Sequence, residues 1–131
     1  MLKEFANYIA DQASLVIGTS LYEGYWPTDS TDASSLVRET GGAEKPWSST
    51  RDTRSFQVLS RGTTYFGARD QAHVIYDSLK VWGRIVLDVV DAGGTFTIES
   101  MSALAPPQYV GQDDNGRFIF SFNYLIHMNE T

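Results

Sequence analysis

The side chains able to carry out acid–base or metal chemistry are few in this sequence, and they are scattered. His73 and His127 are the two histidines, and neither lies in a cluster of residues at metal-ligand spacing. Asp113 and Asp114 are adjacent, but neighbouring side chains in a turn diverge and do not form a working carboxylate pair. No phosphate-binding glycine loop and no nucleophile elbow is present. The sequence therefore predicts no catalytic residue, no metal site and no cofactor.

Size, charge and composition narrow the class of protein. Of the 131 residues, 42% are hydrophobic and 20% are charged, which suits one globular domain over residues 1–131. The net charge of -6 argues against a surface that grips nucleic-acid phosphates or an anionic membrane. Cysteine is absent, so disulfides and thiolate chemistry are excluded. No apolar run is long enough to span a membrane, and Glu4 near the start argues against a secretory signal.

Residues 115–128, read NGRFIFSFNYLIHM, predict the strand around which the other elements are arranged. Aromatic and β-branched residues alternate with others at a period of two, which is typical of a strand. One face, predicted to be buried, carries Phe118, Phe120, Phe122, Tyr124 and Ile126. The opposite face carries Ile119, Ser121, Asn123, Leu125 and His127.

Two helices and several further strands are predicted around this strand. Helical spacing of apolar residues predicts an amphipathic helix over residues 2–15, and Thr64 is placed to cap a second helix that runs to about Val81. Strands are predicted over residues 19–25, 34–39, 54–61 and 95–104. Residues 85–90 are either a strand or an irregular buried connection. This order predicts an α+β fold, a mixed and mainly antiparallel β-sheet flanked by two α-helices.

Three polar or turn-rich segments are predicted to project as loops, near residues 24–33, 41–53 and 105–115. The second is long for a connection without structure of its own, and it is either a functional loop or a simple surface excursion. The third contains Pro106 and Pro107, which exclude a tight hairpin at that point and favour a projecting loop.

Four large aromatic residues lie in segments that otherwise look exposed. They are either satellites of the core or anchors for another subunit, since Tyr and Trp are enriched at such contacts. Stacking on single-stranded nucleic acid is disfavoured because no basic groove accompanies the rings. These rings and residues of the third loop are the predicted interaction residues: Tyr22, Tyr25, Trp26, Trp47, Pro106, Pro107, Tyr109, Asp113 and Asp114.

Several short segments resemble, in order along the chain, those of phage tail terminator and minor capsid proteins, the head–tail joining proteins of long-tailed phages. Residues 53–82 (TRSFQVLSRGTTYFGARDQAHVIYDSLKVW) are similar to a strand–glycine–helix segment of that group. The helix stripe of this segment is Ala72, Ile75, Tyr76 and Leu79. Residues 37–42 (VRETGG) resemble a strand end of the group, and residues 105–118 resemble its lead into the last aromatic strand.

The resemblance implies a structural virion protein without enzyme activity, located in the tail or neck and assembled in the host cytoplasm. Members of the family form a six-fold ring at the head-proximal end of the tail, which stops growth of the tube and offers a face to the head's connector. The implied partners are further copies in a homo-hexameric ring, the tail tube protein and the head–tail connector or stopper protein. Phage DNA would pass through the lumen without specific binding, and no membrane is implied.

Two other functions stay open on the sequence. A head–tail stopper or adaptor of the connector has similar features, and binding to tail tubes or to filled heads would separate it from a terminator. A small ligand-binding or enzymatic domain would instead use Tyr22, Trp26 and His127 in a pocket, and it would require polar side chains that converge in a cleft.

A ring needs two different contact surfaces on each subunit. The loops near residues 41–53 and 105–115, and exposed sheet edges, are the candidates for them. The acidic residues of the loops are hypothesised to line the lumen or a docking face, because like charge keeps DNA from lingering. These residues are Asp29, Asp32, Asp113 and Asp114.

Overall fold

The computed structural model describes residues 2–41, 51–79, 85–88, 95–103 and 105–130. Within them the chain forms two helices and a seven-stranded sheet, and the predicted α+β class is confirmed. The elements in chain order are α1 (Leu2–Ala13), β1 (Leu21–Glu23), β2 (Ser34–Gly41), β3 (Arg51–Gly62), α2 (Tyr65–Ser78), β4 (Ile85–Asp88), β5 (Thr95–Ala103), β6 (Gln108–Gln112) and β7 (Phe118–Glu130). Neither helix has the length and apolar character that a membrane crossing requires.

The sheet is mixed and mainly antiparallel, as predicted. Its strand order is β1-β2-β3-β7-β5-β4, and β6 pairs with β7 as well. β1 and β2 run parallel, whereas the other pairs are antiparallel. The last strand of the chain is therefore inserted between β3 and β5, in the middle of the sheet.

β7 is the central strand, because it has neighbours along both of its sides. β3 pairs with residues 118–129 on one side. On the other side β6 pairs with residues 118–121 and β5 with residues 124–130, so that two strands share one side of β7. The alternation of β7 is confirmed, because its even-numbered side chains are buried from residue 120 to 126: Phe120, Phe122, Tyr124 and Ile126.

Both helices cover the same face of the sheet, and the main core lies between them and the strands. Phe5 of α1 packs on Phe56 of β3 and on Tyr124 of β7, with ring centroids 4.6 and 5.8 Å apart. The Tyr124 hydroxyl donates a hydrogen bond to the Leu79 carbonyl at the end of α2, and burial raises the pKa of this phenol. Each fully buried ring of this kind stabilises the fold by roughly 1.5–3 kcal/mol.

The helix ends follow local backbone chemistry. α1 stops at Ala13 rather than Leu15, because Ser14 adopts a left-handed φ of 56° and the Leu15 N–H donates to the Ala10 carbonyl at 2.9 Å. α2 begins after the predicted cap: the Thr64 hydroxyl accepts a 3.0 Å hydrogen bond from the Gly67 N–H. α2 ends at Ser78 with Leu79 as its C-cap, and residues 80 and 81 of the predicted helix lie outside the described residues.

The observed strands differ from the predicted ones mainly in length. The predicted strand over 19–25 is only three residues long, from Leu21 to Glu23. Residues 85–88 form a regular strand, which decides the alternative left open for that segment. The predicted loop over 24–33 contains no helix or strand. Of the predicted loop over 41–53, Gly41 belongs to β2 and residues 51–53 belong to β3. Residues 42–50, including Trp47, lie outside the described residues.

The prediction of a projecting loop over residues 105–115 is wrong at its centre. Gln108–Gln112 form β6, which pairs with β7 as a hairpin around the turn at residues 113–117. Pro106 and Pro107 lie between β5 and β6, where the lack of an N–H breaks no ladder hydrogen bond. The prolines exclude a hairpin at their own position only, and the hairpin forms further along the chain.

Candidate interaction surfaces

Residues 24–33 fold over the sheet face that the helices leave open. Tyr22 is buried on that face with Leu36 and Leu59. Trp26 and Ile119 pack against this cluster and are half-buried. Tyr22 and Trp26 are thus satellites of the core, one of the two alternatives that the sequence left open.

Arg61 holds this loop in place from β3. Its guanidinium donates to the Ser30 hydroxyl and, over 2.9 Å, to the Thr31 carbonyl, and it lies 4.4 Å from the centroid of the Trp26 ring. The Thr31 N–H in turn donates to the Tyr22 hydroxyl at 3.2 Å. Arg61 is only 3% exposed, and this burial, with the nearby positive charge of Arg117, lowers the pKa of its guanidinium.

Arg117 joins the same loop to the turn before β7. Its Nη1 is 3.1 Å from the Asp32 carboxylate, and its Nε donates to Asp113 at 2.7 Å. Asp113 also accepts backbone N–H bonds from Asn115 at 3.0 Å and from Arg117 at 2.9 Å. Burial acts to raise the pKa of the Asp113 carboxyl, but these hydrogen bonds and the Arg117 charge outweigh it and leave the pKa below its ordinary value. Asp113 is therefore half-buried and bonded within the chain, whereas Asp32 pairs with Arg117 but stays exposed, as Asp114 does.

A second surface lies beside β6 and the start of α2, and we call it the β6 patch. Its members are large apolar side chains at the surface: Tyr65 (39% exposed), Phe66 (69%), Tyr109 (47%) and Val110 (61%). The Tyr65 ring is 5.4 Å from Tyr109 and 5.3 Å from Phe66, and it also contacts buried Phe120 at 5.1 Å. The rings are thus held against the core while part of their apolar surface faces outward.

A small cleft of about 120 Å³ opens next to this patch. It lies where the pairing partners of β7 change, since the pairing skips Phe122 and Asn123 between β5 and β6. Its walls come from Pro106, Tyr109 and Val110 on one side and residues 121–123 on the other. No histidine, acid or base lines this cleft, so it offers no set of groups for acid–base catalysis.

The histidines make ordinary contacts with their neighbours. His127 Nδ1 lies 3.1 Å from the Thr53 hydroxyl, and the His73 ring packs edge-on against Tyr76. Among the described residues, no group of three or more His, Cys, Asp or Glu is placed to hold a metal ion. His127 is eight positions along β7 from Ile119, which packs near Trp26, a distance of about 27 Å in a strand. The pocket that Tyr22, Trp26 and His127 would have formed therefore does not exist.

The predicted interaction residues in the described part of the chain differ in exposure. Tyr22 is buried, and Trp26, Pro107 and Asp113 are half-buried. Exposed members are Tyr25, Pro106, Tyr109 and Asp114. Sequence reasoning missed Tyr65, Phe66 and Val110. A signal was available for the first two, because they follow the Thr64 cap directly and fall outside the buried stripe of α2.

Comparison with known proteins agrees with the family resemblance in the sequence. The family model described as "Bacteriophage tail terminator protein" matches residues 8–130. A solved structure described as "Virion of native gene transfer agent (GTA) particle" is similar, with a TM-score of 0.58 and 9% sequence identity over 93% of this chain and 84% of that chain. At this identity the likeness shows the fold alone. No curated protein matches the chain.

The fold and the family match define a phage structural protein that acts in the tail or at head–tail joining, and its place is the tail or neck of the virion. The chain belongs to the bacteriophage tail terminator family.

Proposed function

We propose that this chain is a tail terminator, which forms a ring at the head-proximal end of a phage tail. There it stops polymerisation of the tail tube and provides the surface to which the head joins. The observation that carries the proposal is the match to the tail terminator family over residues 8–130, which include α2 and all seven strands. Shared architecture over this length supports a shared structural role, although fold alone would not.

The surfaces that the described residues form support a role in assembly. The cleft beside Pro106 is small and is lined by no acid, base or histidine. The β6 patch instead offers exposed rings on an ordered framework, which is the composition of protein–protein contacts. We expect the partners to be further copies in a hexameric ring, the tail tube protein and the connector.

The acidic character of the chain fits a ring through which DNA passes. A lumen of like charge repels phosphates and disfavours lingering contacts. Because Arg117 engages Asp32 and Asp113, the better candidates for the lumen or a docking face are Asp29 and Asp114, both exposed. Replacing these two with Ser should leave folding intact and impair ring formation or head joining. Intact rings and normal head joining in that double variant would contradict the assignment.

The function is tested by producing phage tails with and without this chain and measuring their lengths by negative-stain electron microscopy. Tails should be overlong without it, and adding the purified protein during assembly should restore a fixed length. Tails of normal length in its absence would overturn the proposal. Binding of the purified chain to isolated tail-tube ends, rather than to filled heads, is expected of a terminator and not of a head-side stopper.

A further inference from the structure

Exposed large apolar side chains in the described residues collect beside two edges of the sheet. One group is the β6 patch. The other, which we call the β1-edge patch, consists of Val16 (61% exposed), Ile17 (37%) and Tyr25 (70%), just before and just after β1. One further exposed apolar residue, Val74 on α2, belongs to neither group.

The two patches lie at the same level of the sheet. Strand pairing places Leu21 of β1 in one row with Ser35, Ser60, Phe120 and Tyr109. This row crosses five strands. At about 4.8 Å between neighbouring strands, Leu21 and Tyr109 at its two ends lie about 19 Å apart. A second subunit placed beside the first, at the same level, would bring its β1-edge patch against the β6 patch.

Each of these two edges includes a segment without charged residues. Residues 12–22 and 100–112 contain no Asp, Glu, Lys or Arg, and each of these runs includes part of one patch. The chain carries a net charge of -6, so two copies repel each other wherever acidic surfaces meet. These uncharged segments allow identical chains to approach closely with little electrostatic repulsion. A third uncharged run of similar length, residues 118–129, belongs to the central strand β7.

The β1 edge is closed to strand addition by its own preceding turn. The Leu21 N–H donates to the Val16 carbonyl at 3.1 Å, and the Leu21 carbonyl accepts from the Gly18 N–H at 2.8 Å. A second copy therefore cannot extend the sheet by hydrogen bonding at this residue. Side chains are therefore available for contact beside Leu21, and Val16, Ile17 and Tyr25 are the ones that the turn and the strand end display.

We propose that the β6 patch of one copy docks on the β1-edge patch of a second copy of this chain. The inference rests on the proposed function, because it names the surfaces by which the ring would close. Two different patches on opposite edges make a head-to-tail contact, which repeats from copy to copy and closes into a ring when the rotation permits. The Tyr65 and Tyr109 rings are already ordered against Phe120, so less side-chain freedom is lost on docking.

The test measures self-association of the purified chain by sedimentation over a concentration series, alone and with isolated tail tubes. Val110→Asp and Val16→Asp should each raise the dissociation constant by at least about tenfold, because each places a charge in an apolar contact. Val74→Asp is the matched control, an equally apolar and exposed position outside both patches, and it should leave association unchanged. Circular dichroism and thermal midpoints establish that all three variants fold.

A charge-swap pair distinguishes the head-to-tail contact from a symmetric one. Val110→Lys and Val16→Asp should each associate weakly alone, while a mixture of the two variants, or both changes in one chain, should associate more strongly than either variant. A symmetric contact of the β6 patch with itself would leave Val16→Asp unaffected, and that result would overturn the proposal. A wild-type chain that stays monomeric throughout, with and without tail tubes, would also overturn it.

The two proposals fail in different ways. Undiminished association of Val16→Asp and Val110→Asp would exclude these surfaces and leave tail termination standing. Tails of normal length without the chain would exclude termination, whatever surfaces the copies use to bind one another.

Discussion

The 24–33 loop and the Tyr65 and Tyr109 rings of the β6 patch lie on opposite faces of the sheet. Polar side chains of the loop are hydrogen-bonded within the chain, whereas apolar side chains of the patch are left exposed. In the loop, Ser30, Thr31 and Asp32 turn toward Arg61 and Arg117 and are bonded within the chain. In the β6 patch, Phe66 and Val110 leave more than half of their surface exposed, although the rings next to them pack on the core.

Trp26 of the loop stabilises a single chain, whereas the exposed rings of the β6 patch are available for contact with a second chain. Trp26 lies against a buried guanidinium and is half-buried, whereas Phe66, also in a surface segment, is exposed. Changes in the contacts of Arg61 with the loop should therefore lower the free energy of unfolding and leave association of the folded chains unchanged. Changes in the patch should do the reverse.

The largest effect on folding is expected from Arg61→Ala. This change removes two hydrogen bonds from a charged donor and the contact with the Trp26 ring, and it should lower the free energy of unfolding by about 3 kcal/mol. Urea denaturation measures the change. Sedimentation of the folded variant should give the wild-type dissociation constant.

The control for this prediction is Arg38→Ala, on the neighbouring strand. Arg38 is exposed and its Nε donates to the Gln57 side chain at 2.7 Å, so its removal should change stability by less than about 0.5 kcal/mol. Equal losses in the two variants would show that the buried Arg61 network contributes no more than an ordinary surface arginine.

The part of the fold predicted best from sequence is the part with strong local periodicity. β7 alternates because every second side chain from Phe120 to Ile126 faces the helices, and the same physical cause produces both the pattern and the strand. The α2 cap was predictable for a similar reason, since Thr64 bonds to a backbone N–H only three residues away. Local chemistry of this kind can be read without knowing the rest of the chain.

Features that depend on distant partners were not predictable in the same way. β6 has no alternation of its own and follows two prolines, and it is a strand because β7 supplies the opposite ladder. The 24–33 loop reads as a polar turn, and its attachment depends on Arg61, about thirty residues away. The β6 patch combines the start of α2 with β6, two segments that only the tertiary fold brings together.

An effect of medium size on stability is expected from Tyr65→Ala. Tyr65 is exposed in the β6 patch and also contacts the core, so its removal should affect both folding and association. Loss of its contact with Phe120 should lower the free energy of unfolding by about 1.5 kcal/mol. Phe66→Ala, in the next position and largely exposed, should change it by less than about 0.5 kcal/mol. Both variants should weaken self-association, and a patch variant that loses stability alone would contradict the assignment of this surface.

The smallest effect is expected from Asp113→Asn, and it should depend on pH. Hydrogen bonds from Arg117 and Asn115 outweigh burial and hold the pKa of the Asp113 carboxyl below its ordinary value of 3.8 in the folded chain. A carboxyl with a depressed pKa stabilises the folded state above that ordinary value, and the stabilisation disappears as the pH falls through the lower, folded-state pKa. Asp113→Asn should therefore cost about 1 kcal/mol near pH 6 and progressively less below pH 4.

The measurement is urea denaturation of wild type and variant at several pH values, with Asp114→Asn as the control from the same turn. Asp114 is exposed, and its substitution should change stability by less than about 0.5 kcal/mol at each pH. Because Arg117 also reaches Asp32, Arg117→Gln should lose more stability near pH 6 than Asp113→Asn does. A difference between wild type and Asp113→Asn that stays constant from pH 6 to pH 2 would mean that the charge of Asp113 does not hold the turn. The link between the turn and the 24–33 loop would then rest on Arg117 and Asp32 alone.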